Sequence, residues 1–212
     1  MGGDALLGLL SAAIISCAGV PELSPPDRGS AFLYAGPGGL YVHEIIEDSD
    51  RSGGVDVRMA PSRSPSAPSR EMMSAAPRYT SFMGMILIEN AAGDSRRSRS
   101  LPGDLLSRVN RLEPGETIAF PVRHEQRVGG GGATFAEPHE ISFRGCEVVS
   151  AGQGQLQVRQ YRVDTAGLSS VRGRSEIRRT RKRVDIAVDL GWVSLSDDGA
   201  GAFSLVRARP AR

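Results

Sequence analysis

"HEISFRGCEVVS", residues 139–150, then "AGQG", residues 151–154, then "LQVRQYRVD", residues 156–164, is the stretch on which the fold turns. Two runs of strand character flank a short glycine-containing turn, the signature of a hairpin. The pattern repeats outward in both directions. Downstream come "EIRRTRKRVDIAV", residues 176–188, "GWVSLS", residues 191–196, and "AFSLVRARP", residues 202–210, with "DDGAG", residues 197–201, between the last two. Upstream, "TIAFPVRHEQRV", residues 117–128, is followed by "GGGG", residues 129–132. No alternation of strands with long helical segments is visible, so a parallel sheet is not expected. Regularly spaced strands with glycine turns instead predict a mainly β chain: an antiparallel meander, a curved sheet or an open barrel.

The N-terminal half fits the same scheme. "AFLYA", residues 31–35, and "LYVHEIIE", residues 40–47, flank the turn "GPGG". In the second of these, Tyr41, His43, Ile45 and Glu47 share one face and Leu40, Val42, Glu44 and Ile46 the other. "VDVRM", residues 55–59, reads as a third strand and "RYTSFMGMILIE", residues 78–89, as a further one, with "NAAGDSRRSRS", residues 90–100, as an exposed polar loop. Residues 60–77 hold four prolines and five serines and no aliphatic residue beyond alanine, which predicts a disordered loop. One short helix is expected at residues 102–112, where Leu105, Leu106, Val109 and Leu112 fall on one helical face behind Pro102.

Composition bounds the rest. The chain has 212 residues, 40% of them hydrophobic but only 5% aromatic, so the core must rest largely on aliphatic side chains. Net charge is +2, too small to imply nucleic acid as a partner. Two cysteines, Cys17 and Cys146, exclude a disulfide-dense scaffold and a cysteine-rich zinc site.

The apolar run "LLGLLSAAIISCAG", residues 6–19, is too short to span a bilayer and matches a signal-peptide core in length. Its "IISC", residues 14–17, resembles the bacterial lipobox. The resemblance implies a signal peptide at 1–16 and a diacylglycerol on the Cys17 thiol. The alanine that follows, Ala18, implies sorting to the outer membrane, with the protein facing the periplasm. Residues 17–30 would then be a flexible tether and 31–212 a single β-rich domain. With Cys17 lipidated, Cys146 has no disulfide partner. Without lipidation, a Cys17–Cys146 bridge is open to the chain in an oxidising compartment. The alternative to export is a cytoplasmic protein with an ordinary apolar N-terminal helix.

The C-terminal half is similar to a bacterial periplasmic β module of uncharacterised function. The similarity rests on "LEPGETIAF", residues 112–120, "CEVVSAGQGQLQVRQYRV", residues 146–163, and "VDLGWVSL", residues 188–195. It implies positive φ at Gly154 and Gly191, Trp192 as the large aromatic anchor of the core, and no reaction.

Candidate chemistry is sparse. His43, His124 and His139 are not paired at i, i+2 or i, i+4, and no metal site or cofactor is expected. No G-x-S-x-G elbow supports a nucleophile. The strongest charge feature is "RGRSEIRRTRKR", residues 172–183. Its cations, Arg172, Arg174, Arg178, Arg179, Arg181, Lys182 and Arg183, are candidates for contact with anionic lipid headgroups or an acidic envelope protein. The expected role is that of a lipid-anchored envelope domain, structural or binding rather than enzymatic. Two alternatives accompany it. One is a carrier holding an apolar ligand in a β-cup. The other is a soluble nucleic-acid or acidic-partner binder acting through the arginine block.

Overall fold

The computed structural model describes residues 17–92, 95–128, 131–152, 154–171, 174–188, 190–197 and 201–211. The segment expected to be a signal peptide, residues 1–16, lies outside them. Twelve strands follow one another in chain order: β1 (Ala31–Ala35), β2 (Tyr41–Ser49), β3 (Gly54–Ser62), β4 (Arg78–Phe82), β5 (Ile86–Ala92), β6 (Ser95–Ser100), β7 (Thr117–Val128), β8 (Gly131–Ala151), β9 (Gly154–Val171), β10 (Arg174–Ala187), β11 (Gly191–Asp197) and β12 (Gly201–Arg209). Each pairs antiparallel with the next, and β1 pairs with β12, with Phe32 opposite Ala208, so the sheet closes on itself. Closure leaves no edge strand exposed. The antiparallel meander is therefore present, as a closed barrel rather than an open one.

Alternation along the strands fills the interior. Phe143 on β8, Tyr161 on β9 and Val184 on β10 stand opposite one another in register, and all three are fully buried. Ile141 and Val163 form the next layer. The face of β2 predicted from period two holds, with Val42, Glu44 and Ile46 buried inside. The outer face carries ion pairs instead, such as Arg58 with Glu47 at 2.6 Å and Arg162 with Asp164 at 2.9 Å. A transmembrane barrel has the reverse arrangement, an apolar band outside.

The predicted helix forms as α2 (Leu105–Asn110), shorter than residues 102–112, in the connection between β6 and β7. Leu105, Leu106 and Val109 bury one face of it in the main core. Gly154 and Gly191 adopt φ of 124° and 73°, as their resemblance-based turn roles require. Trp192 is buried and stacks on Tyr34, ring centroids 3.5 Å apart.

Four sequence expectations are corrected. Residues 78–89 are two strands, not one; the chain reverses at Met83–Met85, where Gly84 takes φ 71° and a Cβ would lie 2.5 Å from the Trp192 ring. The polar segment 90–100 is not a loop: it supplies the end of β5 and all of β6, paired on both sides. Ladder hydrogen bonds need no apolar side chain, so a polar sequence can still complete the ring. Residues 60–77 are not disordered. They contain the end of β3 and a helix, α1 (Arg70–Ala75), capped by the Ser69 hydroxyl, which accepts from the Met72 N–H at 3.1 Å. Met73 buries itself against the barrel wall, and Arg58 donates to the carbonyls of Ser74 and Ala76. Finally, residues 17–30 are not a free tether. Leu23 is buried; its N–H donates to Asn110 Oδ1 at 2.8 Å and its carbonyl accepts from Asn110 Nδ2 at 3.1 Å.

Candidate functional site

The Cys17 sulfur, expected to carry lipid, is bonded to Cys146 on β8, with the two Cα atoms 5.4 Å apart. One sulfur cannot hold a diacylglyceryl thioether and a disulfide at once. The structure therefore takes the second of the two fates left open by the sequence.

Four of the seven cations of the arginine block, Arg179, Arg181, Lys182 and Arg183, have side chains among the described residues. Arg172 lies outside the described residues, and Arg174 and Arg178 are placed only as backbone positions of β10, opposite Val171 and Gly167. Arg179, Arg181 and Arg183 share one face of the strand, and Lys182 takes the other. Several are paired: Arg181 with Asp164 at 2.8 Å, Lys182 with Asp197 at 3.7 Å, Arg183 with Asp185 at 3.5 Å and with Glu147 at 3.6 Å. Arg162 shares Asp164 with Arg181. Neighbouring carboxylates thus offset much of the charge that looked concentrated in the sequence, although exposed pairs of this kind add little stability.

Among the described residues the barrel interior is filled by side chains such as Phe143, Tyr161 and Val184. One ligand-sized space lies outside the wall, between β1, β2, β12 and the 60–77 segment. This cleft measures about 420 Å³. Leu33, Ile45 and Met73 give it apolar walls, while Arg70, Arg207 and Arg209 supply cations. Arg63 donates to the Gly38 carbonyl and Arg58 holds the far end of the segment, so the cover is pinned at both ends.

A third place was missed in the sequence. His124 on β7 and Glu137 and His139 on β8 present ligand atoms that all lie within 4.8 Å of one another. The histidines lack metal-ligand spacing in the sequence, yet the fold brings His124 and His139 together, with ring centroids 5.6 Å apart. The hairpin places Phe120 opposite His139, Val122 opposite Glu137 and His124 opposite Phe135, so all three polar side chains share the inner face. The available signal was "EPH", residues 137–139, whose i, i+2 spacing aligns Glu137 with His139 on a strand. The adjacent Glu140 faces the other way.

All three side chains are buried, His139 completely. His124 Nε2 is 3.3 Å from Glu137 Oε2, and Arg99 on β6 donates from Nε to His124 Nδ1 at 3.2 Å. Phe135 stacks on His124 with ring centroids 4.8 Å apart. Burial first, and the Arg99 charge second, pull both imidazoles down to about 4, so both are neutral at physiological pH. Neither ring nitrogen of His139 has a hydrogen-bond partner among the described residues. A second buried acid, Glu44, sits near Tyr34 and bonds to the Trp192 indole; burial pushes its carboxyl up to about 7.

Fold and site together define a closed, filled, twelve-stranded up-and-down barrel with an external cleft and a polar cluster in its lumen. One solved structure is similar to it in fold. The hypothetical lipoprotein YmcC from Escherichia coli matches with a TM-score of 0.51 at 9% identity, over 92% of this chain and 94% of that one. A Bacteroides fragilis protein described as exported, with a YmcC-like fold, gives 0.43 at 12% identity over 89% and 99%. A Parabacteroides distasonis protein described as a lipoprotein gives 0.43 at 6% identity over 90% and 99%. At these identities the likeness to YmcC is one of fold. No family model and no curated protein matches the chain.

Proposed function

We propose that the protein is an exported domain of the bacterial cell envelope with a binding role and no reaction of its own. The external cleft carries this reading. At about 420 Å³ it falls in the size range of small-molecule sites. Its apolar walls and its three arginines suit a ligand with an apolar body and an anionic end. Export is supported by the Cys17–Cys146 bond, since such bonds persist in oxidising compartments. A fatty acid such as laurate is a direct probe. The native protein is expected to bind it saturably, and Arg207→Glu with Arg209→Glu is expected to weaken binding at least about tenfold, the scale of losing one charged hydrogen bond. Equal binding by the double variant would remove the cleft from the account.

A second reading, the lipid anchor, is favoured by "IISC" and by Ala18. It places the barrel on the periplasmic side of the outer membrane and leaves Cys146 reduced. Intact-mass measurement on membrane and soluble envelope fractions separates the two. A chain lighter by two hydrogens than its dithiol supports the disulfide form. A chain beginning at Cys17 with added acyl mass supports the anchor. A reduced chain found only in the cytoplasm overturns both.

A further inference from the structure

We infer that His124, Glu137 and His139 form a binding site for a divalent transition-metal ion inside the barrel. This goes beyond the ligand-binding reading above and does not depend on it. Three observations carry it. The ligand atoms already lie within 4.8 Å of one another, so side-chain shifts of about 1 Å bring all three within bonds of about 2 Å to one ion. They come from a single hairpin, β7–β8, whose register fixes them together. His139 is completely buried, yet neither of its ring nitrogens has a hydrogen-bond partner among the described residues, a state that is unfavourable for a polar group unless a ligand relieves it.

Two imidazoles and one carboxylate suit zinc(II) and its neighbours rather than calcium or magnesium, which prefer all-oxygen sets. Three protein ligands leave a fourth, tetrahedral position for water. Arg99 sets a condition on His124. Because the guanidinium donates to Nδ1, the neutral ring carries its hydrogen on Nε2, facing Glu137. Metal ligation through Nε2 moves that hydrogen to Nδ1. Proton count is unchanged, but the Arg99–His124 hydrogen bond is lost, and Arg99 keeps its bond to the Leu87 carbonyl at 2.9 Å. The ion therefore works against one hydrogen bond while supplying the ligand that His139 lacks.

Cobalt(II) is the probe, because its visible absorption reports imidazole and carboxylate ligation directly. Titration of the full-length protein is expected to give one saturable cobalt per chain, displaced by zinc(II). Glu137→Gln and His139→Asn are expected to weaken binding at least about tenfold, the scale that even outer-shell changes reach. His43→Asn, outside the cluster, is expected to bind as the parent does. Far-UV circular dichroism shows which variants keep the barrel. Absence of saturable cobalt binding by the folded parent overturns the site even if every variant misfolds. So does undiminished binding by folded Glu137→Gln and His139→Asn, which would place the ion elsewhere.

Discussion

Opening the Cys17–Cys146 bond is expected to lower the free energy of unfolding by about 5 kcal/mol. The bond joins residues 129 apart in sequence, and the chain-entropy model gives a stabilisation of this order for a loop that long. Native-state packing adds to the expectation. Cys146 is buried on β8, and the segment leading from Cys17 places Leu23 against Asn110 of α2. The link thus holds the N-terminal segment over the β6–β7 end of the barrel, beside the helix that covers it. Urea unfolding of the oxidised protein, of the reduced protein and of Cys17→Ser and Cys146→Ser measures the effect. Each single variant and the double variant should lose the same amount, because either removes the same link. A loss below about 1 kcal/mol would mean that the Leu23–Asn110 contacts alone fix the segment. In a lipidated chain the bond cannot exist, and Cys146→Ser should then cost only the burial of a small sulfur-for-oxygen change.

The comparison of sequence with structure separates two kinds of information. "AFLYA" and "TIAFPVRHEQRV" coincide with β1 and β7 residue for residue, because local β propensity and flanking turn residues agree there. "SRRSRS" was unreadable as β6, since no apolar alternation marks it; its strand state comes from pairing with Glu89–Ala92 and Arg123–Val128. The same holds for closure. Nothing local to Ala31–Ala35 or Gly201–Arg209 says that the first and last strands meet; only the summed curvature of the sheet brings them together. The lumen cluster failed for a related reason. Glu137 and His139 were readable from alternation within one strand, but His124 joins them through the register across β7–β8. That register sets Val128 opposite Gly131, which the glycine run in the sequence marks only to within a few residues. The arginine block differs: its composition was plain, but its ion-pair partners Asp164 and Glu147 lie on β9 and, one strand further, on β8.

Replacing Glu44 by glutamine is expected to stabilise the protein by about 3 kcal/mol at pH 8 and to leave it unchanged near pH 4. Glu44 lies inside the wall on β2, 4% exposed, close to Tyr34 and the Trp192 indole. Burial raises its carboxyl from 4.5 to about 7, and the hydrogen bond from Trp192 only partly opposes this. Below pH 4.5 the acid is protonated in both the folded and unfolded chains and contributes nothing. Between 4.5 and 7 the unfolded chain releases a proton that the folded chain retains. Stability therefore falls as pH rises through that window and stays low above it. The shift corresponds to about 3 kcal/mol, and glutamine keeps the shape and the acceptor for the indole while removing the charge. His124 and His139 act with the opposite sign. Their folded-state values, near 4, lie below the ordinary 6.5, so the unfolded chain gains protons first and stability is lost as pH falls from 6.5 toward 4. The parent should therefore show a broad optimum on the acid side of neutrality, whereas Glu44→Gln should lose its alkaline decline and keep the acid one. Chemical denaturation at pH 4, 6 and 8 resolves the two. If the variant is no more stable than the parent at pH 8, Glu44 is ionised in the folded barrel and a counter-charge must reach it, which the packing of Tyr34, Val42 and Trp192 around it does not provide.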